Sequence, residues 1–289
     1  MTDSNSPLVS VIMRNLDKGT LVRSAIESIL AQSYRNLELL FIDNGSTDSS
    51  LRIAKDFADQ DGRVSLFSEP RRGPQFAFNR GLNESRGDLV TFLDSDDVCA
   101  PNRIERQVAL LRDHPEYGCC HTNGWVIDAN GNRTGKLYHS NIVPLPKGGG
   151  DGDIFSSLLR LDFILGASMM IRSTNVSSER FDADLIFAED WEMWLRLARR
   201  HKFGYVSEPL YGYRIYSGNM SRSLTEASHA LLYRKCLRSL DLNGEDRRFV
   251  VRELVAYYRR TRRYGKLARL MATESDARAL VYSHLRRRV

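Results

Sequence analysis

Three short polar runs, each placed directly after an apolar one, hold the residues of this sequence best suited to chemistry. Arg14-Asn15-Leu16-Asp17 follows VSVIM, Asp43-Asn44-Gly45-Ser46-Thr47-Asp48 follows LELLFI, and Asp94-Ser95-Asp96-Asp97 follows DLVTFL. Crowded carboxylates raise one another's pKa unless a cation sits among them. A hard divalent ion takes oxygen ligands, and with only one or two protein carboxylates it completes its shell with phosphate oxygens and water. The predicted chemistry is therefore the handling of a nucleotide diphosphate, with base and ribose held by the first two runs. Each run alone would serve as a turn and helix cap; the three together, at equivalent places, favour a site.

The elements that must position these runs follow from periodicity. Val9–Met13 is a continuous apolar run of strand length, and Leu37–Ile42, Val64–Phe67 and Asp88–Leu93 read as the second, third and fourth strands. Between them lie helical stripes at Thr20–Gln32, Asp48–Ala58 and Pro74–Ser85, and a further helix is expected from Pro101. Strands buried on both faces and separated by helices predict an α/β fold, a mostly parallel, doubly wound sheet with helices on both faces. In such a sheet ligands bind beyond the carboxyl ends of the strands. Further along, Asp128–Gly131 reads as a hairpin turn and Lys147–Asp153 as a flexible loop, more a connector than a lid. Asp190–Arg200 is a helix with Trp191, Trp194, Leu195 and Ala198 on one face, and from about Thr225 the pattern is helical to the end.

Composition narrows the class. The 289 residues are 42% apolar and 27% charged, which excludes disorder, collagen and coiled coil. No apolar run approaches the roughly 20 residues of a membrane span, and the first ten residues do not read as a secretory signal. Cys99, Cys119, Cys120 and Cys236 show neither metal spacing nor a disulfide framework, so a reduced, cytoplasmic protein is expected. The net charge of +6 is unevenly placed: after Met220 there are 17 basic and 7 acidic residues, a net +10, against −4 before it. A basic tail on an acidic body argues against a nucleic-acid coat.

Rival nucleotide folds lack their signatures. MRNLDKGT offers no G-x-G-x-x-G after the first strand, no G-x-x-x-x-G-K-[ST] exists anywhere, and an aspartyl phosphatase would carry its nucleophile after the first strand rather than the fourth. PLVSVIM, then AIESILAQSYRNLELLFIDNGSTD, then NRGLNESRGDLVTFLDSDD resembles the family 2 glycosyltransferases of the GT-A fold over about residues 7–112. GASMMIR with AEDWEMWLRL, and YGYRIYSGNMSRS, extend the resemblance to residue 223.

The resemblance implies a GT-A domain at 1–223, with a nucleotide-binding half at about 7–112 and an acceptor half at about 113–223, and leaves 224–289 as a basic helical extension. It implies inverting sugar transfer from a nucleotide-sugar donor to a saccharide or lipid-linked saccharide acceptor, with Mg2+ or Mn2+ as cofactor. Asp94 and Asp96 would hold the metal. Arg14, Asn15, Asp17, Asp43, Asn79, Asp94, Ser95 and Asp96 would bind the donor. Asp190 would be the catalytic base, with Glu189 and Trp191 shaping the acceptor pocket. The base also follows from chemistry, since an acceptor hydroxyl is a poor nucleophile and needs a proton acceptor on its side.

Two positions depart from the family pattern: Leu16 stands where an aromatic is usual, and Tyr216 where a histidine is usual. Arg14, Arg71, Arg72 or Arg214 would then share in neutralising the diphosphate. The rival readings are a nucleotidyltransferase, for which KGT at 18–20 is a poor phosphate loop, and a non-catalytic binding module, which would not require a base. In the tail, Tyr258–Arg263 and Arg286–Arg288 are dense basic clusters. They read either as solvated helix faces or as peripheral contacts with the anionic inner face of a membrane.

Overall fold

The computed structural model describes residues 6–219 and 225–286, with 282–286 as backbone only. The chain divides into two compact units, Met1–Asn219 and Met220–Val289. In the first, β1 (Val9–Asn15), α1 (Leu21–Leu30), β2 (Leu37–Asp43), α2 (Ser50–Ala58), β3 (Val64–Ser68), α3 (Pro74–Glu84) and β4 (Leu89–Asp94) alternate, as the apolar runs predict. Then come β5 (Val98–Cys99), α4 (Arg103–Asp113), β6 (Tyr117–Ile127), β7 (Arg133–Leu137), α5 (Tyr138–Asn141), α6 (Phe155–Arg160), a 3-10 turn at Gly166–Ser168, β8 (Met170–Arg172), α7 (Ser173–Val176), α8 (Glu189–Ala198) and β9 (Lys202–Arg214). The second unit is helical among its described residues: α9 (Glu226–Ser239), α10 (Gly244–Arg260), α11 (Tyr264–Thr273) and α12 (Ser275–Arg286).

The strands form one sheet in the order β3-β2-β1-β4-β8-β6-β9-β5, with β7 on the flank of β6. β3, β2, β1 and β4 run parallel, β8 lies antiparallel between β4 and β6, and β6 and β9 are again parallel. Val9, Val11, Ile12 and Met13 of β1 and Leu39, Phe41 and Ile42 of β2 have no exposed surface. That is the burial a central parallel strand requires, and it explains the unbroken apolar runs. The helix expected from Pro101 starts at Arg103, because Pro101 gives its carbonyl to the Ser33 amide at 2.7 Å in a turn that precedes it.

The register sets the site. Across the parallel ladder Asn15 pairs with Asp43 and Arg14 with Asp94, so the polar runs leave the sheet at one level. Asp128–Gly131 makes the expected tight turn between β6 and β7, closed by Gly131 N–H to Asp128 O at 3.1 Å. The glycine loop at 147–153 is a connector pinned at its end, where Gly152 and Phe203 exchange main-chain hydrogen bonds of 2.7 and 2.9 Å.

Arg103 has no exposed surface. Its guanidinium donates to Phe92 O (3.0 Å), Thr91 Oγ1 (2.9 Å) and Ala167 O (2.9 Å), and Nε to Gln107 Oε1 (3.1 Å). Gln107 in turn donates to Ser168 O at 2.9 Å. Two residues of α4 thus hold the 166–168 turn against β4.

Candidate active site

The site is assembled where β1, β2 and β4 end. Asn15 is its hub: Nδ2 donates to Ser46 Oγ and Ser50 Oγ at 2.9 Å each, and Oδ1 accepts from Ser95 Oγ at 2.8 Å. One buried amide therefore joins the loops after all three strands. Asp43 turns inward and accepts the amides of Gly45 (3.3 Å) and Ser46 (3.2 Å). Asn44 continues outward, donating to Glu69 O and Arg71 O and accepting from Gly73 N–H.

The loop after β1 is stitched to the loop after β2. Asp17 adopts a left-handed φ of 49°, Oδ1 accepting the Thr47 amide at 2.7 Å while its own amide donates to Ser46 Oγ at 3.1 Å. Gly19, with φ 55°, donates its amide to Asp48 Oδ2 at 2.6 Å. Lys18, between two left-handed residues, is delivered to Asp96: Nζ lies 2.7 Å from Asp96 Oδ2 and donates to Tyr216 OH at 2.8 Å. Tyr216 OH donates to the same Asp96 oxygen at 2.8 Å, closing a triangle. Arg14 Nε donates to Asp94 Oδ1 at 2.6 Å, its guanidinium over the Phe78 ring. Asp97 faces away and anchors β9, accepting Tyr211 OH and the Arg214 amide at 2.7 Å each.

Further along, Ala188 takes a left-handed φ of 63° immediately before α8, which opens with Glu189 and Asp190. Asp190 Oδ1 accepts the Trp191 amide at 2.8 Å. A Cβ on Gly166 would stand 2.2 Å from Asp190 Oδ2, so any other residue there would push the carboxylate out of this position. The Trp191 indole is buried and donates to Leu158 O at 2.8 Å, walling the site from behind.

The glycosyl transferase family 2 model matches residues 10–173. EpsE of Bacillus subtilis, itself assigned only provisionally as a glycosyltransferase, is 32% identical over 259 residues, covering 87% of this chain and 90% of its own. The chain belongs to glycosyl transferase family 2. An uncharacterised glycosyltransferase of Haemophilus influenzae is 42% identical over 127 residues, 42% of this chain and about half (51%) of that relative. Among solved structures, S. aureus TarS in complex with UDP-GlcNAc aligns at TM-score 0.66 and 17% identity, over 87% of this chain and 72% of that one. The mannosyltransferase PcManGT of Pyrobaculum calidifontis, with GDP-Man and Mn2+, aligns at 0.64 and 17%, over 98% and 80%. Both confirm the GT-A architecture.

In this glycosyltransferase the charges are coupled. Burial pushes Asp96 up, but Lys18, Tyr216 and Arg14 overcome it and hold the carboxyl below its usual range. Burial likewise opposes the Arg14 charge, yet Asp94, Glu189 and Asp96 raise its pKa above the ordinary value. At the start of α8 burial dominates. It pushes Glu189, beside Asp190, up to about 8, and raises Asp190 against the pull of the Trp191 amide and Arg14.

Arg14, Asn15, Asp17, Asp43, Asp94, Ser95 and Asp96 thus converge on one edge, with Glu189 and Asp190 across Arg14. Asn79 does not join them. Both ends of its amide pair with the Phe181 backbone at 2.8 Å, so it ties α3 to the segment before α8 instead of reaching the edge. Of the expected auxiliary cations, only Arg14 is in place. Arg71 pairs with Glu69, Arg72 reaches Gly45 O, and buried Arg214 gives its guanidinium to the carbonyls of Asp96, Asp128 and Ala129. The cation on Asp96 is Lys18, legible only as a lysine preceding a glycine in a short loop. Asp162 was likewise missed: its Oδ1 is buried without a hydrogen-bond partner, and burial and then Asp190 drive its pKa well up. The end of the YGYRIYSGNMSRS segment, residues 220–223, lies outside the described residues.

Proposed function

We propose that this glycosyltransferase inverts the anomeric centre of a nucleotide-sugar donor, with Asp190 as general base toward the hydroxyl of a saccharide or lipid-linked saccharide acceptor. The observation that carries this reading is the place of Arg14. It hydrogen-bonds Asp94 at 2.6 Å and its charge also acts on Glu189 and Asp190, so the carboxylate proposed for the donor and the proposed base share the field of one guanidinium. Asn15, Asp17, Asp43 and Ser95 would hold base and ribose. Glu189 and Trp191 shape the acceptor side, where Asp162 supplies a further carboxyl. Asn79 acts as a positioning residue.

The donor set fits a divalent ion such as Mg2+ or Mn2+. Among the described residues Asp94 Oδ2 and Asp96 Oδ1 accept no protein hydrogen bond, whereas their other oxygens do. No third His, Cys, Asp or Glu among the described residues completes a cluster with them, which leaves coordination places for diphosphate oxygens and water. Such an ion supplies positive charge to the departing diphosphate. The chain's own residues do the rest: Arg14 and Asn15 fix the carboxylates, Gly166 clears space for Asp190, and ionised Asp190 takes the acceptor proton. A general base typically contributes about 10²–10⁴-fold.

A thermal-shift screen of UDP, GDP, dTDP and CMP sugars with Mn2+ identifies the donor, since only a ligand bound to the folded state stabilises it. With that donor, Asp190→Asn lowers turnover by about 10²-fold or more while donor affinity stays within a few-fold. Near-normal turnover in the variant, or a product with the donor's own anomeric configuration by NMR, overturns the reading.

A further inference from the structure

Lys18 is the feature of the donor edge that the family resemblance leaves unexplained. Its side chain is only 16% exposed and that of Asp96 10%, so both charges have left most of their water. A buried cation needs that loss returned by close partners, and the chain commits three tertiary contacts to arranging it. The amides of Asp17, Gly19 and Thr47 are all tied across the two loops, and the residues on either side of Lys18 both hold left-handed backbone. For a non-glycine residue such as Asp17 that conformation is unfavourable and persists only where its surroundings enforce it.

An ammonium has three protons. Two are accounted for by Asp96 Oδ2 and Tyr216 OH, and among the described residues no protein acceptor takes the third. The lysine therefore reaches the turn at 94–96 with one donor in reserve, on a carboxylate two residues from the one that Arg14 holds. Two fixed cations on two neighbouring carboxylates make an edge that can accept phosphate oxygens through N–H donors as well as through a metal.

We propose that Lys18 is a diphosphate-binding residue of this enzyme, giving its remaining proton to a phosphate oxygen, so that a nucleoside diphosphate binds without a divalent ion. The inference rests on the donor site proposed above and adds to it: metal strengthens binding at this edge and does not create it. Tyr216 holds the ammonium from its other side, which accounts for a tyrosine at a position where the family usually carries a histidine.

The test is titration calorimetry of UDP, GDP, dTDP and CDP into the full chain, in Mn2+ and in EDTA. At least one diphosphate should bind native protein in EDTA, within about 10-fold of its affinity in Mn2+. Lys18→Met should weaken that EDTA binding by about 10- to 100-fold, the range expected for a lost charge-assisted hydrogen bond. Lys18→Arg should recover most of it. Thermal melts of both variants report whether the loop still folds, and the arginine variant keeps the comparison valid if the methionine variant does not. Native protein that binds only in Mn2+, or a folded Lys18→Met that binds in EDTA as well as native, overturns the role of Lys18 and leaves the donor site standing. Native protein that binds no diphosphate under either condition overturns both.

Discussion

Glu189 carries into the folded state a proton that an exposed glutamate loses. Burial sets its pKa to about 8 in the folded state, against an ordinary 4.5, so the folded protein holds a proton that the unfolded chain has released. Its contribution to stability is therefore complete below about 4.5 and disappears as pH rises through about 8. Melting curves should show native protein losing stability relative to Glu189→Gln between about pH 5 and 9; a constant difference between the two would show that Glu189 does not titrate in this range. Asp190 is pushed up mainly by the same burial, so with Asp190 as the proposed base the acid limb of activity should lie above the usual carboxylate range. A neutral Glu189 beside it would spare that base a second negative charge.

At the scale of elements, the parallel ladder and the two loops stitched above it carry the donor side. Replacing Asn15 by Ala removes one partner each from Ser46, Ser50 and Ser95 at once. Unsatisfied buried groups cost about 1–3 kcal/mol, so Asn15→Ala should lower the unfolding free energy by that amount and weaken nucleotide binding together with it. Unchanged denaturant unfolding would contradict the hub role.

This half of the fold was legible because strands covered on both faces must be mostly apolar, as β1, β2 and β4 are apart from Ser10, Glu38, Thr91 and their carboxyl-end residues. β6 and β9 were not. YGCCHTNGWVI is buried along nearly its whole length, yet it carries Cys, His, Thr and Asn, whose burial depends on neighbours distant in sequence. The carboxylate runs could be read directly, and register brings Arg14, Asn15, Asp43 and Asp94 level. Lys18 and Gly166 could not, because their importance lies in what comes within 3 Å of them. The pairing of Asn79 with the Phe181 backbone could not be read either, because a motif reports a residue's presence and not which way its amide is spent.

Across the whole molecule, the second unit concentrates the positive charge. Arg259, Arg260, Arg262, Arg263, Lys266 and Arg269 fall at the corner between α10 and α11 with no acidic residue among them in sequence. Tyr264 at that corner is 63% exposed, and Arg260 pairs with Glu226. The other cluster, Arg286–Arg288, lies largely outside the described residues. No helix among the described residues is long and apolar enough to cross a membrane. Each Lys or Arg near an anionic bilayer is worth about 1 kcal/mol. The protein should therefore co-sediment with phosphatidylserine vesicles at low salt, leave them at high salt, and ignore phosphatidylcholine vesicles; equal binding to both lipids would leave the corner as a solvated face.

Arg103 has a consequence for how the first unit comes into being. Its charge sits with no exposed surface, and one of its acceptors, Ala167 O, stands 64 positions later in the chain. A ribosome releases the arginine well before that carbonyl exists, and a buried guanidinium short of an acceptor is too costly to hold in place. The Arg103 site behind the first four strands is therefore complete only once the 166–168 turn is present, so a chain ending before that turn should hold this half less stably than the full chain does.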